Sequence, residues 1–129
     1  MVSSLNACCA DTWQRAEIYL IDWEMTTRVA LTPQRVRELA KSRRAFREEA
    51  SEIARLLALD KLKVQDEPRP EDARLVVDLY TDTGAKVTYY ASRLNLCTAD
   101  NASKHSLDAE FRKRFSELAK KPKEAKQSQ

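Results

Sequence analysis

The chain holds a single glycine, Gly84, among its 129 residues. Average usage of about 7% would give roughly nine. Glycine lets a backbone adopt left-handed turns or approach a phosphate closely. One such position cannot supply a Walker loop, a dinucleotide fingerprint or a Gly-rich flap, each of which uses several. No run of about 18 consecutive apolar residues occurs either, so the sequence shows no membrane-spanning helix. A single small domain remains, with 43% apolar and 33% charged residues, and no cofactor-binding pattern.

The place of Gly84 is informative. Residues 75–80 and 86–91 alternate apolar and polar in period two, and Asp82-Thr83-Gly84 lies between them. A type I turn ending in a left-handed glycine closes a hairpin of this kind. Asp-Thr-Gly followed by Ala85 also matches the aspartic-protease triplet. That fold needs a flap and a later glycine-containing element, which this chain has no residues to build.

Elsewhere, Ile18–Trp23 reads as a central strand, since both alternating faces are largely apolar. Thr32-Pro33 is a helix start, with Thr32 as cap and Pro33 at the first position. An apolar stripe then runs from Val36 to Leu57. One helix over 33–59 would exceed the usual length, which favours a break near 42–49, with a short strand around Ala45–Arg47 and a second helix capped at Ser51. Residues 59–72, with Pro68 and Pro70, read as a linker. A short edge strand fits Leu94–Leu96. Ser106 reads as the cap of a last helix, whose stripe is Leu107, Phe111, Phe115 and Leu118.

The expected fold is α+β: a three- to five-stranded, mainly antiparallel sheet with two or three helices packed mainly on one face. The domain is expected over 15–119, with a flexible segment at 1–14 and a disordered basic tail at 120–129.

The net charge of +3 is unevenly spread. Arg35, Arg37, Lys41, Arg43, Arg44 and Arg47 meet only Glu38 within 35–47, whereas 48–72 carries eight acidic groups against four basic ones. A basic helix of this kind could attract a nucleic acid, and a regulator using these six residues is one reading. Trp23, Arg93 and one of Tyr89 and Tyr90 could form an aromatic platform for single-stranded nucleic acid; the two tyrosines alternate faces, so the other is core. The acidic stretch argues against a long polyanion as partner.

Catalytic constellations are sparse. Cys97 and His105, the only histidine, could form a thiol–imidazole pair. Asp22 and Glu24 flank Trp23 and would share one face at the strand's end, as an acid–base pair or as acidic groups around an aromatic anchor. Asn101-Ala102-Ser103 matches a glycosylation acceptor. Three cysteines (Cys8, Cys9, Cys97) make no disulfide framework and no C-x-x-C, and adjacent Cys8 and Cys9 cannot easily share one metal ion.

The function expected is therefore non-catalytic: a protein-binding module, of the bacterial inhibitor or immunity type. Asp22, Trp23, Glu24, Glu48, Glu49 and Glu52 would meet a partner protein whose identity the sequence does not give. As it stands the sequence reads as cytoplasmic. Leu5-Asn6-Ala7-Cys8 also looks like the end of a lipoprotein signal, without its basic and apolar lead. On that alternative, Cys8 is lipidated, the domain is periplasmic or membrane-anchored, and Cys97 could pair with Cys8 or Cys9.

Overall fold

The computed structural model describes residues 13–120. Strand β1 spans Trp13–Leu20, helix α1 Pro33–Leu39, β2 Ser42–Phe46 and helix α2 Ala50–Leu56. A 3-10 turn at Leu59–Lys61 leads into β3, Lys63–Val64. Strands β4 (Leu75–Thr81), β5 (Lys86–Ala91), β6 (Asn95–Thr98) and β7 (Ser103–Ser106) follow, then helix α3, Ala109–Lys120. The strands form one sheet in the order β2-β1-β4-β5-β6-β7-β3, antiparallel at every step.

The α+β class holds, but seven strands replace the expected three to five. The two added pairings lie in polar sequence. Residues 95–106 fold as a second hairpin, and the supposed linker donates β3 to its outer edge. Trp13 and Gln14, expected in a flexible segment, open β1.

Register explains the layering. Arg43, Tyr19, Val76, Tyr90, Cys97, Lys104 and Lys63 stand directly opposite one another in turn across all seven strands. The neighbouring row, Arg44, Ile18, Val77, Tyr89 and Thr98, faces the other way because side chains alternate along a strand. Ile18, Leu75, Val77, Leu79 and Leu96 form the main core with Ile53 and Leu57 from the α2 region and Phe115 of α3. Fully burying a side chain such as Phe115 contributes about 1.5–3 kcal/mol. On the opposite face Val76, Tyr90 and Cys97 pack under Val36 of α1, Leu31 and Ala73. Helices thus lie on both faces, two of the three on the main-core face.

The local signals work as their chemistry dictates. Thr32 Oγ1 accepts from Arg35 N at 3.2 Å, with Pro33 opening α1. Gly84 has φ +88°, closing the β4–β5 hairpin. The 33–59 stretch is interrupted, by β2 at Ser42–Phe46 rather than at Ala45–Arg47. Helix α2 begins at Ala50 with no side-chain cap, not at a Ser51 cap. Ser106 belongs to β7, and Asp108 Oδ1 takes the capping bond from Phe111 N at 2.9 Å.

Candidate functional site

Three chain segments meet at the end of the sheet where β1 and β5 finish and β4 and β6 begin. They are the 21–31 loop, residues 71–74 and the 92–95 turn. Arg74, only 3% exposed, ties the first two together. Its Nη1 donates to Asp72 Oδ1 at 2.7 Å and its Nη2 to the Met25 carbonyl at 2.6 Å. Asp72 Oδ1 also accepts from Leu31 N at 2.7 Å. Burial opposes the charge on Asp72, yet the bonds from Arg74 and Leu31 outweigh it and hold the carboxyl below its usual range.

The 92–95 turn is as strongly determined. Ser92 Oγ accepts from Leu94 N and Asn95 N, both at 3.1 Å, and donates to Glu71 Oε1 at 2.6 Å. Ser92 N reaches the Asn95 carbonyl, Leu107 N the Leu94 carbonyl, and Arg112 Nη1 the Arg93 carbonyl. At the tip, Leu94 is 70% exposed; Met25, in the facing loop, is 40% exposed. Arg93 bridges the two segments through Glu24 at 3.3 Å. A pocket of about 500 Å3 lies among them, lined by Glu24, Asp72, Arg74, Arg93, Leu94 and Arg112, with Glu71 and Ser92 behind.

The sequence-derived site residues are scattered by the fold. Asp22 and Glu24 lie here, exposed, but in a turn closed by Glu24 N to Asp22 Oδ1 at 2.9 Å, not at a strand's end. Trp23 is not a surface anchor. It is 7% exposed in the main core, and its Nε1 donates to Ser116 Oγ at 2.9 Å. Glu48, Glu49 and Glu52 follow β2, whose Phe46 pairs with Ala16 while Ser42 pairs with Leu20. That register puts them at the opposite end of the sheet from Asp22 and Glu24, so the six residues do not form one patch.

The basic set is largely engaged. Arg35 pairs with Glu38, and Arg37 with Asp78. Arg43 donates to the Arg37 and Ala40 carbonyls, and its guanidinium lies 5.4 Å from the centre of the Tyr19 ring. Arg44 lies over Phe46 and reaches the Leu118 carbonyl. Lys41 and Arg47 are exposed. The aromatic platform does not assemble: Tyr90 is buried, Tyr89 faces the main core, and Trp23 is inside it.

Cys97 and His105 fall on opposite faces, since Cys97 pairs with Lys104 and His105 with Leu96. Burial and then Glu71 push the Cys97 thiol up to about 11. The His105 ring nitrogens lie against the Leu57 carbonyl at 2.8 Å and the Ser106 carbonyl at 2.9 Å, so the ring links β7 to the end of α2. Asn101 Oδ1 accepts from the Tyr90 hydroxyl. Cys8 and Cys9 lie outside the described residues, as do residues 121–129.

Sequence reasoning missed Leu94, Arg74 and Arg112. The available signal was an apolar residue inside the polar run Ser92-Arg93-Leu94-Asn95. A larger groove, about 840 Å3, runs between residues 56–65 and the start of α3, over Leu56, Leu62, Leu107 and Phe111. Among the described residues no helix is long and apolar enough to cross a membrane. No family model matches this chain, and neither does any curated protein or solved structure. Fold and surface thus define a small α+β domain with one arginine-rimmed, apolar-tipped end.

Proposed function

We propose that this chain is a non-catalytic protein-binding module, of the inhibitor or immunity type, which docks through the end of the sheet carrying Leu94 and Met25. One observation carries the reading: Leu94 is held out into solvent at 70% exposure on a turn fixed by bonds from Ser92, Leu107 and Arg112. Folding gains little from an exposed leucine, and a rigid apolar tip loses little conformational entropy when a partner covers it. Charged groups of both signs (Glu24, Arg93, Arg112) line the pocket beside it, as the polar rim of an interface does. The separation of Cys97 from His105 supports the non-catalytic side of the reading.

The test is affinity capture from lysate of the source cells with three baits: the native chain, Leu94→Asp and Val64→Asp. Val64 is still more exposed, at 82%, but sits on the outer edge strand β3. The expected result is one protein retained in near-stoichiometric amount by the native chain and Val64→Asp and lost with Leu94→Asp. Retention indifferent to Leu94→Asp, or no retained protein, overturns the reading.

A further inference from the structure

Three guanidinium groups, Arg74, Arg93 and Arg112, line the 500 Å3 pocket beside Leu94. Glu71, the innermost carboxylate, is already matched. It takes Lys104, Ser92 Oγ and the Asn95 amide, and although burial opposes its charge these bonds hold its carboxyl below the usual range. Asp72 is taken by Arg74 and Leu31 N. Glu24 reaches Arg93 only at 3.3 Å with both side chains exposed, a pair worth little in water. Among the described residues the Arg112 guanidinium has no carboxylate partner; its one bond is Nη1 to the Arg93 carbonyl. Arg112 and the weakly paired Arg93 therefore have donors to spare at the pocket, and an arginine fork suits a planar carboxylate.

We propose that this pocket receives a carboxylate side chain of the partner protein, held between Arg93 and Arg112 while an adjoining apolar side chain covers Leu94. The inference rests on the protein-binding reading and names the partner's chemistry. At this end of the sheet the partner contributes the acid.

The experiment is a two-dimensional amide NMR titration of the full chain at low ionic strength with N-acetyl-aspartate methylamide. The isosteric asparagine compound and inorganic phosphate serve as comparison probes. The aspartate probe should shift the Arg93, Leu94 and Arg112 amides saturably, and the asparagine probe should not. Arg112→Gln should weaken binding about tenfold, the scale of one charge-assisted hydrogen bond. Lys113→Ala, one residue along α3, should leave it unchanged. Unsaturable shifts, equal response to asparagine, or tighter binding of phosphate than of aspartate overturns the carboxylate pocket. Because no partner protein is used, these outcomes are independent of lysate capture: capture sensitive to Leu94→Asp with no probe binding would retain the module and remove the pocket.

Discussion

Arg37 reaches 41 residues along the chain to grip Asp78, with Nε at 3.0 Å and Nη2 at 2.8 Å from the two carboxylate oxygens. Thr88 Oγ1 donates to the same carboxylate at 2.6 Å. Asp78 is 1% exposed on the central strand β4, and the pair pins α1 to that face of the sheet. Arg37→Ala leaves an uncompensated buried charge and should cost about 3 kcal/mol, the lower end for a broken buried pair because Arg37 is partly exposed. Urea unfolding should show the loss as a lower midpoint at unchanged slope. The double change Arg37→Met with Asp78→Leu should recover much of it.

Leu94→Asp should leave stability within about 0.5 kcal/mol of the native chain, since an exposed tip contributes little to folding. A thermal melt alongside the capture experiment checks this. A large drop in Tm would mean that the leucine has a folding role.

Gly84→Ala tests the hairpin. A Cβ there meets nothing within 4 Å, so no clash contributes. The backbone at φ +88° does, at about 1–2 kcal/mol. Gly84→Asn should cost less, because asparagine tolerates left-handed backbone better. Equal costs in urea unfolding would remove this account of the turn.

Cys97 should resist alkylation. Its thiol is pushed up from 9.0 to about 11 by burial and Glu71, so little thiolate exists at pH 8. Iodoacetamide labelling followed by peptide mass mapping should show Cys97 modified at least tenfold more slowly in the native chain than in urea. The same shift sets an alkaline limit. A folded value raised above the unfolded one gives stability that is full below about pH 9 and is lost as pH rises through about 11. Tyr19 and Tyr90, raised from 10.0 to about 12, chiefly by burial, act in the same direction at higher pH. Urea midpoints should hold up to about pH 9 and fall from there to pH 11, and Cys97→Ala should delay the first part of the fall.

Glu71, with Asp72, should contribute to the acid side. Its carboxyl is lowered from 4.5, so its stabilisation is present above that value and lost as pH falls below it. Glu71→Gln should flatten the decline in unfolding midpoint below pH 4.5 and lower stability at pH 7. An unchanged acid profile would mean that the Lys104, Ser92 and Asn95 bonds do not depend on charge.

Short-range features were legible where one residue's chemistry leaves few options. Gly84 between two alternating runs meant a hairpin, and Thr32-Pro33 meant a helix start. The 33–59 stripe was too long for one helix, and Leu107, Phe111, Phe115 and Leu118 form an amphipathic stripe on the last helix and the residue leading into it. The strand at 18–23 was displaced to 13–20 because its second face is only partly covered, so Arg15, Glu17 and Tyr19 break the apolar pattern that marks a strand. The polar run 92–105 carries little strand signal of its own, because its polar side chains are matched by partners outside it: Glu71 for Asn95 and Lys104, Tyr90 for Asn101.

The candidate site divides the same way. Sequence alone determined a hairpin, helix starts, an unequal charge distribution and the absence of glycine-dependent machinery, because these depend on local backbone sterics and composition. Only the tertiary structure decided that Trp23 is core, that Cys97 and His105 stand on opposite faces, that the acidic residues divide between two ends of the sheet, and that Arg74, Arg93 and Arg112 meet beside Leu94. Each of those outcomes follows from strand register or long-range packing, and a shift of one residue in register would reverse which face every side chain occupies.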